Sequence, residues 1–331
     1  MLVAKYRDHL PLYRQRQIYK RSRVDLPRST LGDWVAAGAE LLAPVARRIG
    51  ERALGAAILQ TDDTGLRVLD RDRPQGTKRG VLWLYVGDGE WAWFHYTPSR
   101  SGQGPQAVLS GRRGYLQADG YAGYQPLYER AEAPLIEVGC WAHARRYFVE
   151  AFESGDERGL VAMGAIAQLY RVEAEAFGAG VDGRKRLREE RARPVLEELR
   201  AWLTDHAGRV PPKMPLGAAI AYTRARWTAL TRYLEDGRLE IDNNRVERLI
   251  RPVALGRKNY LFAGSDAGAE RAATIYTVLA TCALHEIDPW AYTRDVLAKV
   301  AGGWPQRELD ALLPDHWAAT HPEAVRCPPP A

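Results

Sequence analysis

The sequence has few cysteines, few lysines and no long apolar segment. Its three cysteines, Cys140, Cys282 and Cys327, are far apart and form no Cys-x-x-Cys pair. Neither a disulfide framework nor a cysteine-based zinc site is therefore encoded. No apolar run approaches the roughly 18 residues of a membrane span, and charges near Met1 stand where a signal peptide needs an apolar stretch. These absences predict a cytoplasmic protein with no membrane partner.

Basic residues are in excess, and arginine supplies almost all of them. The 331 residues carry 47 Lys and Arg against 41 Asp and Glu, a formal net charge of +6, and only seven of the bases are lysines. Positive charge favours a polyanionic partner without proving one, and codon composition also enriches arginine. Apolar residues at 46% and charged residues at 27% are typical of a globular chain with a real core.

Two helices are predicted in the N-terminal segment. The first covers 6–20 and is broken by Pro11, and a turn over 22–29 precedes the second. The second begins at Thr30, which forms a capping-box pattern with Asp33. With the arginines nearby, this pair fits either a DNA-binding helix-turn-helix or an ordinary helical hairpin with a solvated basic face. The sequence leaves both alternatives open.

The next part of the chain is typical of strands. The apolar run 56–62 ends in an acid, and 81–86 and 91–96 alternate in period two around a Gly-Asp-Gly-Glu turn, which predicts a hairpin. The run 115–119 repeats the Leu-Gln-x-Asp ending of the first strand, and 135–140 is a further apolar run. Short helices between these runs complete an α/β pattern.

Helical signals dominate after residue 150. No strand pattern occurs between 150 and 236, which predicts a helical insertion. A helix with apolar residues at i, i+3, i+4 and i+7 then starts at Val246, and Pro252 is expected to kink or end it. Glu247 lies in its first turn.

Three acids stand out by position. Asp62 and Asp119 both end predicted strands, so their carboxylates would meet at one sheet edge if the strands are neighbours. Glu247 lies beside the apolar stripe of a later helix and could reach the pair. Hard oxygen ligands suit Mg²⁺ or Mn²⁺, and two ions about 4 Å apart support phosphodiester chemistry. Acids that only cap strands and helices are the alternative, and it stays open.

Short motifs occur in a fixed order along nearly the whole chain, and they are Lys5-Tyr6, His9-Leu10-Pro11-Leu12-Tyr13-Arg14-Gln15, Arg28-Ser29-Thr30-Leu31 with Trp34, Asp62-Asp63-Thr64, Asp119-Gly120-Tyr121, Cys140-Trp141-Ala142-His143 with Arg145-Arg146, Asp242-Asn243-Asn244 with Glu247-Arg248, Gly256-Arg257-Lys258-Asn259 and Phe262-Ala263-Gly264-Ser265. In these motifs the chain resembles the transposases of the insertion sequence 66 family. A long ordered set of this kind is far more specific than a lone triad of acids.

The resemblance implies a fold and a reaction. The expected fold is a ribonuclease H-like mixed sheet of about five strands with flanking helices, interrupted by an all-helical insertion. Asp62, Asp119 and Glu247 are implied as the catalytic and metal-binding carboxylates of a DDE transposase, with Mg²⁺ or Mn²⁺ as cofactor, as two ions. The implied reaction is cleavage at insertion-sequence ends and strand transfer into target DNA.

The resemblance also implies partners and a location. The partners are transposon-end and target DNA, a second copy of the chain in a homodimer or larger assembly, and helper proteins of the same element. The expected location is the cytoplasm, in association with the nucleoid. Two rival functions remain, a nuclease that performs no strand transfer and a non-catalytic DNA-binding remnant.

The sequence departs from the family pattern in two ways. Asp62-Asp63 replaces the usual Asp-Glu pair, and Asp63 is expected on the opposite face of the strand. The N-terminal coiled coil and cysteine-rich zinc module of family members have no counterpart before Lys5, which predicts a truncated or alternatively started copy.

Basic residues near the three acids are candidates for contacts with DNA. His143, Arg145 and Arg146 open the helix after the 135–140 run, where a structural histidine and a solvated face are the alternatives. A second cluster follows Glu247, and it consists of Arg251, Arg257 and Lys258. Such contacts would position the DNA without reading its sequence.

The aromatic hairpin residues Trp83, Trp91 and Trp93 favour a core over base stacking. The predicted segments are a helical N-terminal segment at 1–52, the first part of the catalytic core at 53–150, the helical insertion at 151–236, the last catalytic helix with the rest of the core at 237–290, and a C-terminal helical tail at 291–331.

Overall fold

The computed structural model describes residues 1–132 and 134–325. Cys327 and the prolines after it therefore lie outside the described residues. Internal packing divides the chain into two compact units. The first unit consists of 1–114 and 245–331, and the second unit consists of 115–244. This division leaves the predicted segment boundaries as predictions.

The first unit contains the long strands and most of the long helices. Its elements are α1 (Leu2–Tyr6), α2 (Leu12–Arg21), α3 (Arg28–Gly55), β1 (Ile58–Leu69), β2 (Thr77–Gly87), β3 (Trp91–Thr97) and α4 (Gln103–Val108). The second unit contains β4 (Tyr115–Gln117), α5 (Gln125–Glu129), β5 (Ile136–Val138), α6 (Trp141–Glu153), α7 (Gly159–Glu175), α8 (Gly180–Leu187), α9 (Arg193–Ala207), α10 (Pro215–Ala225) and α11 (Trp227–Thr231). The chain continues with α12 (Asn244–Tyr260), α13 (Asp266–Leu284), α14 (Pro289–Ala301) and α15 (Pro314–Thr320).

The strands form one mixed sheet of five strands in the order β3-β2-β1-β4-β5. Strands β1 to β3 pair antiparallel, and β4 pairs parallel with β5. With the flanking helices, this sheet confirms the predicted α/β class and the mixed sheet expected of a ribonuclease H-like core. After β5 the described part of the second unit is helical, as the all-helical insertion requires.

The two faces of β1 and β2 differ in what covers them. Leu66, Val68 and Leu84 lie in one apolar cluster with side chains of α3, α12 and α13. Residues that face each other across an antiparallel pair point to the same side, so the register assigns Asp62 to the side of Leu84. Trp83 lies on the opposite side and is fully buried.

The predicted hairpin is confirmed as β2 and β3, and the conformation of its turn explains the clear sequence pattern. Asp88 and Gly89 both have positive φ, 47° and 78°, as the tight turns that match strand twist require. Trp83 and Trp91 are buried, as predicted, and Trp93 packs at the edge of the core.

Two local predictions were wrong. β1 does not end at Asp62 but continues to Leu69, because 64–69 pair with the long β2 strand. Helix α3 begins at Arg28 and not at Thr30, and no side chain caps it. Pro252 was expected to kink or end α12, and it does not end the helix, which runs on to Tyr260. Burial of the apolar stripe of α12 outweighs the one helical bond that Pro252 cannot make.

The interior of the second unit contains a charged network. The guanidinium of Arg188 is fully buried and lies 2.7 Å from the Glu173 carboxylate. It also donates hydrogen bonds to the carbonyls of Tyr233 and Leu239. A buried cation is tolerated only when its donors are satisfied, so this network joins α7 to the segment before α12.

None of the helices in the described part of the chain is long and apolar enough to cross a membrane. Of the cysteines, Cys140 and Cys282 are buried free thiols.

Candidate functional site

Asp62 is the fifth residue of β1 and is half-buried. It lies on the face of β1 that packs against α12 and α13, since its cross-strand partner Leu84 belongs to that apolar cluster. Its Oδ1 accepts the backbone N–H of Asp63 at 2.7 Å. Because successive side chains of a strand point to opposite faces, Asp63 is turned away from the helix-covered side and Asp62 is turned toward it.

Asp63 lies on the opposite face and is engaged there. Arg100 donates to its two carboxylate oxygens over 2.7–3.0 Å. Burial raises the pKa of the neighbouring Tyr85, and the negative charge of Asp63 raises it further. As expected from the alternation of a strand, the two adjacent acids have different environments.

Helix α12 crosses the Asp62 side of β1 and is held at both ends. In its first turn the Arg245 side chain fills the space in which a Cβ of Gly89 would stand. Near its end, Arg257 donates to Thr64 Oγ1 at 2.8 Å and to the carbonyl of Gly65 at 2.5 Å. Between them, α12 buries Val246, Ile250 and Val253 in the core of the first unit.

Glu247 lies in the first turn of α12 and is exposed. A carboxylate in this position is favoured by the helix dipole, which is the structural role left open by the sequence. Its exposure also leaves it accessible to solvent and to any ligand on that side of α12.

Asp119 lies in the second unit, two residues after β4. Its Oδ1 accepts the N–H of Tyr121 at 2.9 Å, and its carbonyl accepts the hydroxyl of Tyr222 at 3.0 Å. The next residue, Gly120, has φ of +91°, and the guanidinium of Arg226 leaves no room for a Cβ there. Glycine is thus required on both conformational and steric grounds.

The loop at Asp119 is clamped by the end of the helical insertion. Arg226 donates to the carbonyl of Gly120 at 2.7 Å and pairs with Glu137 on β5 at 2.5 Å. Together with Tyr222, it fixes the backbone on which Asp119 is carried. Sequence reasoning missed this clamp, because Arg226 and Gly120 are 106 residues apart and no periodic pattern links them.

We expect Arg226→Ala to loosen this loop. The change removes a charge-assisted hydrogen bond and an ion pair, so amide hydrogen exchange in 118–124 should accelerate by about ten-fold or more. Arg224→Ala is the control and should leave that exchange unchanged, because Arg224 lies in the last turn of α10, is exposed and forms no ion pair within residues 1–132 and 134–325. Equal exchange in the two variants would show that Arg226 does not hold the loop.

The basic residues that follow β5 differ in exposure. His143 is buried, with 8% of its surface exposed, and its Nδ1 lies 3.2 Å from Cys140 Sγ. Burial raises the pKa of that thiol to about 12, so Cys140 is an inert neighbour and not a nucleophile. Arg145 and Arg146 are exposed on the next turn of α6.

The basic residues of α12 form an exposed stripe beside Glu247. Arg248, Arg251 and Lys258 are exposed, and among the described residues none of them forms an ion pair. Their spacing of three and seven residues places them along one side of the helix. Arg257 is different, because it is half-buried and bonded to β1.

No group of three or more His, Cys, Asp or Glu side chains in the described residues is close enough to hold a metal ion. The donor set of the three predicted acids is nevertheless chemically uniform. All three supply only carboxylate oxygens, the hard ligands that Mg²⁺ and Mn²⁺ prefer. Two of them, Asp62 and Glu247, belong to the first unit, and Asp119 belongs to the second.

Comparisons with known proteins bear on nearly the whole chain. Residues 1–271 match the model described as "Transposase IS66 family", and residues 277–314 match the "IS66 C-terminal element". Two similar curated relatives are the uncharacterized proteins y4jD and y4qI of Sinorhizobium fredii (strain NBRC 101917 / NGR234). They are 35% identical over 333 residues and 37% identical over 326 residues, which is 96% and 94% of this chain.

This chain spans 65% and 60% of the length of these two relatives. The family model covers the three acids, the predicted DNA-contact residues and the motifs Gly256-Arg257-Lys258-Asn259 and Phe262-Ala263-Gly264-Ser265. The chain belongs to the transposase IS66 family.

Proposed function

We propose that this protein is a DDE transposase that cleaves DNA at insertion-sequence ends and joins the released 3′-hydroxyl to target DNA. Family membership supports a role in transposition. The observation that carries the residue assignment is the position of Asp62 on the α12 side of β1, while Asp63 is bonded to Arg100 on the other side.

Asp62, Asp119 and Glu247 are the proposed ligands of two Mg²⁺ or Mn²⁺ ions. Such ions, when bound, activate a water or a 3′-hydroxyl and stabilise the leaving oxygen of a phosphodiester. The fold supplies the elements that position these three acids. A continuous strand holds Asp62, the Tyr222–Arg226 clamp holds the loop of Asp119, and α12 holds Glu247.

Exposed basic side chains are proposed to hold the DNA backbone next to these acids. Arg251 and Lys258 follow Glu247 along α12, and Arg145 and Arg146 are exposed on α6. Salt-dependent contacts of this kind orient a duplex without reading bases. Arg257 and His143 belong to the proposed set as supports, since one is bonded to β1 and the other is buried beside Cys140.

The proposed assembly follows from the reaction. Two transposon ends must be joined in one event, so a homodimer or larger assembly on DNA is proposed, with helper proteins of the same element as further partners. Because the proposed substrate is DNA, the proposed location of the protein is the cytoplasm, in association with the nucleoid. The segment boundaries given by the sequence are proposed to delimit the N-terminal segment, the split core, the insertion and the tail.

The test is a Mg²⁺ and Mn²⁺ titration of cleavage on DNA that carries the element's own ends, with strand transfer of labelled 3′-hydroxyl ends in parallel. We expect Asp119→Asn to lower the cleavage rate by more than about 100-fold. Changing even a residue that only orients a metal ligand lowers metal affinity or activity by about 10- to 100-fold. The exposed Asp182→Asn in α8 is the charge-matched control and should cleave like the unchanged protein.

The outcomes separate the proposed function from its two rivals. Hydrolysis without strand transfer would favour a ribonuclease H-like nuclease. DNA binding without metal-dependent cleavage would favour a non-catalytic remnant. Cleavage that survives Asp119→Asn would contradict the proposed mechanism.

A further inference from the structure

Two arginines face each other across strands β1 and β2 of the first unit. Arg67 on β1 pairs in register with Arg79 on β2, and both are exposed. Neither forms an ion pair with an acid within residues 1–132 and 134–325. Like charges directly opposite on neighbouring strands destabilise a sheet. A pair that opposes folding without a compensating acid indicates an anionic ligand.

These arginines line a groove of about 960 Å³ in the first unit. Arg257 extends into it from α12, and although it bonds to Thr64 and Gly65, no acid neutralises its charge in the part of the chain described. Lys78 is the fourth base, but Asp266 pairs with it at 2.7 Å. The groove therefore holds three uncompensated positive charges, a number that suits a phosphodiester backbone and not a single carboxylate.

The groove is also lined by two exposed apolar residues, Leu261 and Phe262. Ala263 is bonded to β1 through its N–H to the Arg67 carbonyl and its carbonyl to the Leu69 N–H, both at 2.8 Å. This fixes Leu261 and Phe262 beside the arginines, with 63% and 42% of their surfaces exposed. Leu261 has φ of +63°, a costly conformation for a branched residue. An exposed aromatic ring beside basic side chains offers a surface on which a nucleobase can stack.

We propose that this groove binds an unpaired nucleotide of a DNA strand, with its phosphates on Arg67 and Arg79 and its base stacked on Phe262. The inference rests on the proposed function, since it assumes that the chain handles DNA. It goes beyond that function by adding a site outside the three acids and outside the exposed stripe of α12. The site combines paired arginines with an aromatic ring. A site for the backbone of a duplex would need only the positive charges, so the ring indicates an unpaired base.

The test compares binding of labelled oligo(dT) and of a blunt duplex of equal length by fluorescence anisotropy across a salt series. For the single strand, Arg67→Ala with Arg79→Ala should weaken binding by about ten-fold or more and lower the salt slope by about 1.4. Phe262→Ala should weaken single-strand binding by about ten-fold and leave the duplex unchanged, and Phe262→Trp should restore it. The exposed Arg71→Ala and Phe177→Ala, which do not line the groove, are the matched controls.

The outcomes separate this inference from the proposed function. The proposed nucleotide site is overturned if the paired arginine changes leave single-strand binding unaffected. It is also overturned if Phe262→Ala weakens binding of the single strand and of the duplex equally. In either case the proposed function stands as long as metal-dependent cleavage is observed. A protein that binds neither DNA form and cleaves neither would overturn both.

Discussion

Asp62→Asn is expected to lower metal-dependent cleavage by more than about 100-fold, while Asp63→Asn lowers it by only a few-fold. The two changes remove the same charge from adjacent residues of one strand. Only Asp62 lies on the face of β1 that α12 crosses, and Asp63 is bonded to Arg100 on the other face. The measurement is initial cleavage rate at saturating Mg²⁺, with DNA binding recorded for each variant.

The control in this experiment is stability. Asp63→Asn gives up a charge-assisted bond to a half-exposed arginine, which is worth about 1 kcal/mol in unfolding free energy. Asp62→Asn should leave stability within about 1 kcal/mol, because the amide oxygen of Asn can still accept the backbone N–H of Asp63. Equal loss of cleavage in the two variants, with both folded, would mean that the assignment of Asp62 is wrong.

Glu173→Ala is expected to destabilise the second unit by about 3–5 kcal/mol. Glu173 holds the fully buried guanidinium of Arg188 through two bonds of 2.7 Å and also pairs with Arg184. Its removal leaves a cation in the interior without a counter-ion, and a lone buried charge is costly. Amide hydrogen exchange over α7 and α9 measures the free energy of opening in this unit directly.

The matched control is Glu175→Ala on the same helix. Glu175 is exposed and pairs with the exposed Arg191, so its removal should cost no more than about 1 kcal/mol. If both variants change the opening free energy equally, then burial does not set the strength of the Arg188 network.

The regular elements were predictable wherever a local pattern decided them. The hairpin followed from period-two alternation around residues that tolerate positive φ, and α12 followed from apolar residues at helical spacing. The break predicted at Pro11 is confirmed, because α2 begins directly after it at Leu12.

The wrong prediction for the end of β1 has a clear cause, which is that pairing with another strand outweighed a local signal. Strand β1 passes Asp62 because β2 is long enough to pair with it as far as Leu69. Helix α12 continues through Pro252 because it buries an apolar face in the core of the first unit. A local pattern cannot report the length of a partner strand or the depth of a groove.

The candidate site divides in the same way. The identity and order of Asp62, Asp119 and Glu247 can be read from the residues, and so can the alternation that sends Asp62 and Asp63 to opposite faces. Three features required tertiary structure: which face α12 covers, the clamp of Arg226 on Gly120, and the meeting of Arg67 with Arg79. They depend on contacts between residues far apart in the chain, and such contacts are selected by packing of the whole unit and not by the neighbours in sequence.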